Sequence, residues 1–146
     1  MSTTRTASAR WEGHGTNGFG QLSTASSVLR STPYSFAARM AEGSGTNPEE
    51  LIAAAHAGCL SMKLAFILQA AGYTATQIDT RCEVTLQDGL IAQSRLMLKA
   101  AVPGLSESAF QAMVMDAWQN CPVSKLLNTE IRCQATLLPS TVAASL

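Results

Sequence analysis

The stretch Thr46-Asn47-Pro48-Glu49-Glu50-Leu51-Ile52-Ala53-Ala54-Ala55-His56-Ala57-Gly58-Cys59 decides how this chain is read. It opens with a helix start. Asn47 offers a capping side chain, Pro48 suits the first helical position, and Glu50 stands where a capping-box acid reaches back. Good helix formers continue to about Ala71, and Gly72 supplies a left-handed stop. Nearly all of Leu51–Met62 is apolar or small, with His56 the one titratable group besides the Cys59 thiol. A helix apolar around most of its circumference is buried, so residues 47–72 are expected to form the central helix of the fold. His56 and Lys63 interrupt its apolar runs, which fall short of the roughly 20 residues that a membrane span needs. No membrane partner is expected.

Strands flank this helix in the reading. Residues 1–45 are rich in Gly, Ser and Thr, and the pieces Ala9–Gly13, Gly18–Leu22 and Pro33–Arg39 fit a β-meander. Beyond the helix, Ile78, Thr80, Cys82, Val84 and Leu86 alternate with polar neighbours. Asp88-Gly89 signals a hairpin turn into a second strand over Leu90–Val102, with Leu96, Leu98 and Ala100 inward. Ser106 caps a helix from Glu107 to Gln119, and Asn120-Cys121-Pro122 breaks the chain before a short helix reaching Leu127. Glu130–Leu138 reads as a last strand, and Pro139–Leu146 as a frayed end. The order predicts one α+β domain over 1–146, with residues 76–138 holding the hairpin, the later helices and the final strand.

Composition narrows the function. Hydrophobic residues make up 47% and charged residues 14% of the 146, where ordinary domains carry about 25% charged residues. So few charges leave apolar surface uncovered, which points to a homo-oligomer. Ten basic residues balance ten acidic ones with no basic run, so a nucleic-acid partner has no electrostatic support. Met1–Trp11 lacks the apolar region of a secretory signal, and a cytoplasmic protein is expected. The cysteines at 59, 82, 121 and 133 show no CxxC spacing, and there are two histidines, so neither a metal nor a cofactor is expected.

Cys82 and Cys133 fall on the apolar phase of two strands and read as small buried hydrophobes. Cys121 precedes Pro122 at a helix start, where the helix dipole and unpaired N–H groups stabilise a thiolate and Lys125 adds positive charge. It equally fits a plain capping residue. Cys59 alone reads as a core residue, because burial disfavours its thiolate unless a positive partner arrives. His56, three residues back, fits either a satisfied core histidine or a base.

Taken together, Tyr34-Ser35-Phe36 with Arg39, the helix motif from Thr46 to Cys59, and Asn120-Cys121-Pro122-Val123-Ser124-Lys125 strongly resemble the OsmC/Ohr family of hydroperoxide reductases. The Ala-His-Ala-Gly-Cys version and Tyr-Ser-Phe resemble its OsmC branch. The resemblance implies an OsmC-like fold, with antiparallel sheets around a long central helix in an intertwined homodimer. It implies that Cys59 is the peroxidatic thiol and Cys121 the resolving one, that Arg39 holds the thiolate, and that Glu49 orients Arg39 through a bidentate pair. Hydroperoxides would be reduced through a sulfenic acid and a Cys59–Cys121 disulfide that an external dithiol reduces, in oxidative or osmotic stress defence. Lys63, where a smaller or apolar residue is expected, departs from the pattern. The alternative is a non-catalytic protein of the same fold that binds a small apolar ligand at the dimer interface.

One spacing bears on this mechanism. Glu49 and Cys59 are ten residues apart, about 15 Å along a straight helix, and point in different directions. Either the helix breaks, or the Arg39–Glu49 pair serves Cys59 of a second subunit, which is the favoured reading.

Overall fold

The computed structural model of the chain describes residues 1–41 and 43–139. They form two compact units, Met1–Leu51 and a second from Ile52 onward. In the first, strands β1 (Ala7–Glu12), β2 (Phe19–Thr24) and β3 (Thr32–Tyr34) pair antiparallel as the expected meander. The third strand ends well short of Arg39. Ser35 accepts a hydrogen bond from the Ala38 N–H at 3.1 Å and caps a short helix, α1 (Phe36–Met40). The capping hydroxyl and the helix formers after it outweigh the strand tendency of the aromatics.

Gly20 on β2 is required by its neighbours. The rings of Trp11 and Tyr34 pack at 5.4 Å between centroids, and a Cβ at position 20 would strike both. Gly20→Ala should therefore destabilise the protein by about 1–3 kcal/mol through overpacking. A urea melt followed by tryptophan fluorescence checks this; an unchanged midpoint would contradict it.

Helix α2 (Pro48–Ala70) begins as the sequence requires. The Glu50 N–H donates to Asn47 Oδ1 at 2.8 Å, and the Glu50 carboxylate reaches back to accept from Thr46 Oγ1 at 2.6 Å. It ends on Gly72 at φ +86°, where the Tyr73 N–H closes onto the Leu68 carbonyl. That is the Schellman pattern.

In the second unit, β4 (Gln77–Gln87) and β5 (Leu90–Ala101) form the hairpin across Asp88 and Gly89, whose positive φ angles of 52° and 78° make the mirror-image turn. Helices α3 (Glu107–Asn120) and α4 (Pro122–Leu126) then carry the chain to β6 (Glu130–Leu137). This connection is long enough to bring β6 back parallel to β5, so the second sheet joins an antiparallel hairpin to a parallel strand. The core gathers Leu60, Leu64 and Leu68 from α2, Leu96, Leu98 and Ala100 from β5, and Phe110, Val114 and Ala117 from α3. The expected frayed end falls mostly on residues 140–146, outside the described residues.

One expectation changes. His56, Leu60, Leu64 and Leu68 form a buried stripe at four-residue spacing, but Met62 and Phe66 remain 64% and 61% exposed. The helix is long and apolar enough to cross a membrane by length and composition, yet it packs that stripe into the sheet-and-helix core. One packed layer covers one side of a helix, so within a single chain α2 is not buried all round.

Candidate active site

The four residues singled out from the sequence fall into two groups, one in each unit. In the first unit, α1 carries Arg39 and the first turn of α2 carries Glu49. Asn47 fastens the two helices, its Nδ2 donating to the Ala38 carbonyl at 2.9 Å. Arg39 donates to Glu49 from Nε at 2.9 Å and from Nη2 at 2.6 Å. Both bonds converge on Oε1, so the pair is not the two-oxygen fork expected. Glu49 Oε2 is buried and has no hydrogen-bond partner among the described residues. The carboxylate holds the Arg39 pKa up, so the guanidinium stays charged, and 40% of its side chain remains exposed. Trp11, Tyr34, Phe36, Arg39 and Pro48 line a small cavity of about 110 Å³. One charged donor therefore stands at the edge of an aromatic recess.

In the second unit, Cys59 on α2 and Cys121 at the α3–α4 junction lie side by side as free thiols. Burial pushes the Cys59 thiol up, and the adjacent Cys121 pushes the same way. The Val123 N–H and the Lys63 charge, one turn further along α2, pull it down, but burial prevails. Lys63, an oddity in the sequence pattern, thus acts on the Cys59 thiol. It supplies part of a positive environment, and not enough of one.

Cys121 is fully buried and ends α3 as well as starting α4. The sequence suggested only the second role. The negative end of a fourteen-residue helix and the positive end of a five-residue one meet at this residue. The Ser124 N–H donates to Cys121 Sγ at 3.4 Å, and Ser124 Oγ lies 3.0 Å from the same sulfur.

Cys82 and Cys133 sit on β4 and β6 in register with Leu96 of the strand between them. Burial pushes both thiols up, Cys133 to about 11, so both stay protonated. A larger concavity, about 530 Å³, lies over strands β4–β6 between Arg81, Lys99 and Thr136 and has no cysteine in its wall.

Sequence reading missed Ser94 and Ser124. Ser94 shares the inward phase of Leu96, Leu98 and Ala100 on β5 and is fully buried. A hydroxyl on the core phase was the available signal. Ser124 lies within the Cys-Pro-Val-Ser-Lys motif but had no role attached to it. Among the described residues no group of His, Cys, Asp and Glu is placed to hold a metal.

A family model described as OsmC-like protein matches residues 41–136. The chain is 44% identical over 135 residues to Peroxiredoxin OsmC of Escherichia coli (strain K12), covering 90% of this chain and 94% of that protein. In three dimensions it resembles an OsmC organic hydroperoxide resistance protein from Legionella pneumophila, with a TM-score of 0.69 at 23% identity over 93% of this chain and all of the other. An OsmC-like protein from Mycoplasma pneumoniae superposes with a TM-score of 0.73 at 14% identity, over 95% of this chain and all of that one.

Proposed function

The chain belongs to the OsmC family, and we propose that it reduces hydroperoxides with Cys59 as the attacking thiol and Cys121 as the resolving thiol. It is a peroxidase of the OsmC/Ohr hydroperoxide-resistance type. The observation that carries the assignment of residues is the adjacency of the two free thiols, with Val123 and Ser124 each presenting a backbone N–H to one of them.

In this reading the Cys59 thiolate attacks one peroxide oxygen and the O–O bond breaks. The leaving alkoxide takes a proton and departs as alcohol, or as water when the substrate is hydrogen peroxide. The Cys59 sulfenic acid then condenses with Cys121 to a disulfide and water, and an external dithiol restores both thiols. The aromatic recess beside Arg39 suits the apolar part of an organic hydroperoxide, with the guanidinium donating to the peroxide oxygens.

Arg39 and Glu49 activate Cys59 across a homodimer. Four observations support this. Helix α2 is unbroken from Pro48 to Ala70, so the first-turn Glu49 and the mid-helix Cys59 are kept apart on one chain. Cys59 lacks sufficient positive charge within its own unit. Glu49 Oε2 is buried without a donor among the described residues, as expected of a clamp whose surroundings a second chain completes. The exposed Met62 and Phe66 face of α2 gives that second copy an apolar surface to cover. Both units then work as one catalytic domain, placed in the cytoplasm, where thiol reductants are plentiful.

Mixed subunits test the arrangement. Arg39→Gln and Cys59→Ser homodimers should each be nearly inactive. Co-refolding the two should restore activity, because one site in each mixed dimer then combines an intact Arg39 with an intact Cys59 from different chains. Activity no higher than that of the separate variants would contradict sharing between subunits.

A further inference from the structure

An uninterrupted line of hydrogen bonds crosses the core of the second unit and ends on the resolving thiol. Cys82 Sγ lies 3.3 Å from Ser94 Oγ, and Ser94 Oγ lies 2.6 Å from His56 Nδ1. His56 Nε2 is 2.8 Å from Ser124 Oγ, which is 3.0 Å from Cys121 Sγ. His56, Ser94, Ser124 and Cys121 are all buried, three of them completely. Carrying hydroxyls and an imidazole through a leucine core costs desolvation that apolar residues would avoid. Both imidazole nitrogens meet a hydroxyl, as burial demands, and one of those hydroxyls leads directly to the Cys121 sulfur.

We propose that His56 is the proton acceptor for Cys121 during disulfide formation, acting through the Ser124 hydroxyl. His56 is thus a positioning residue for the resolving step. This rests on the assignment of Cys121 as the resolving thiol.

The bonding supports a directed relay. With the proton on Nδ1, His56 donates to Ser94 Oγ, Ser94 donates to Cys82 Sγ, and Nε2 is free to accept from Ser124. Burial lowers the His56 pKa, so the resting ring is neutral and able to accept. Burial likewise keeps Cys82 protonated, a terminus of the line and not a competing nucleophile.

As Cys121 Sγ attacks the Cys59 sulfenic sulfur, the S–S bond forms and the S–O bond breaks. The Cys121 sulfur is oxidised and the sulfenic sulfur is reduced. The Cys121 proton passes to Ser124 Oγ while the Ser124 proton passes to Nε2. The Ser124 N–H remains on the sulfur as negative charge develops there. The proton lodged on His56 balances the departing hydroxide, and their recombination gives one water per disulfide. Because the acceptor is separated from the peroxide-reducing step, its loss should slow only the second half of the turnover.

Single-turnover kinetics separate these halves. Reduced protein is mixed with one equivalent of cumene hydroperoxide, and samples are quenched for dimedone-trapped sulfenic acid and for disulfide by mass spectrometry. His56→Gln and Ser124→Ala should form the sulfenic acid at the wild-type rate but close the disulfide about 10²-fold more slowly, as loss of acid–base assistance does. Ser124→Thr, which keeps the hydroxyl, should close it at close to the wild-type rate. Should His56→Gln not fold, Ser124→Ala against Ser124→Thr carries the comparison alone. Wild-type closure in Ser124→Ala, or equal slowing of both halves, would overturn the relay. If the wild type itself forms no Cys59–Cys121 disulfide, the resolving assignment fails and the relay with it.

Discussion

Cys59→Ser should lose hydroperoxide turnover by about 10³-fold or more, because a serine hydroxyl neither ionises near neutral pH nor accepts oxygen from a peroxide. Cys121→Ser should behave differently. It should still consume the first equivalent of hydroperoxide, since Cys59 and the groups that activate it are intact. The sulfenic acid should then persist long enough for dimedone to trap it, and no intramolecular disulfide should form. Peroxide consumption measured alongside trapping distinguishes the two variants. Equal loss of the first equivalent in both would mean that Cys121 takes part in the attack on peroxide.

The second large effect concerns Arg39. Burial holds the Cys59 thiol up within its own unit, and Lys63 offsets this only in part. An arginine beside the sulfur lowers such a pKa by about 1–3 units, which at pH 7 changes the thiolate fraction by about 10- to 1,000-fold. Arg39→Gln should therefore cut the rate of sulfenic acid formation by about that factor at neutral pH. The sign follows from the charge. Without the cation the thiolate is less stable, so the pH at which the rate reaches half its plateau should move upward. Raising the pH should recover part of the loss, and a remainder would report a hydrogen bond from Arg39 to the peroxide. A rate loss with no movement of the pH profile would mean that Arg39 orients substrate without stabilising the thiolate.

Most of the fold was legible because its signals are local. Asn47-Pro48, Gly72, Asp88-Gly89 and Ser106 each act within a few residues, and the structure places a cap, a stop, a turn and a cap at them. The strand expected to reach Arg39 failed because the Ser35 hydroxyl outcompeted the strand tendency of its neighbours. The parallel pairing of β6 was not legible, since strand direction depends on where α3 and α4 return the chain.

The site was legible unevenly. Cys59 and Cys121 stood out through motif and resemblance, and the structure brings them together. The convergence of both arginine bonds on one Glu49 oxygen depends on side-chain placement that spacing does not encode. Ser94 is 38 residues from the histidine it touches, and Ser124 is 68. Only the folded chain joins them to Cys121.

The most direct measurement is a thiol map before and after one equivalent of cumene hydroperoxide, read by mass spectrometry of the alkylated protein. Two thiols per chain should disappear into a Cys59–Cys121 disulfide, while Cys82 and Cys133 stay free. Retention of all four thiols while the peroxide is consumed, or a disulfide that omits either Cys59 or Cys121, would contradict the account.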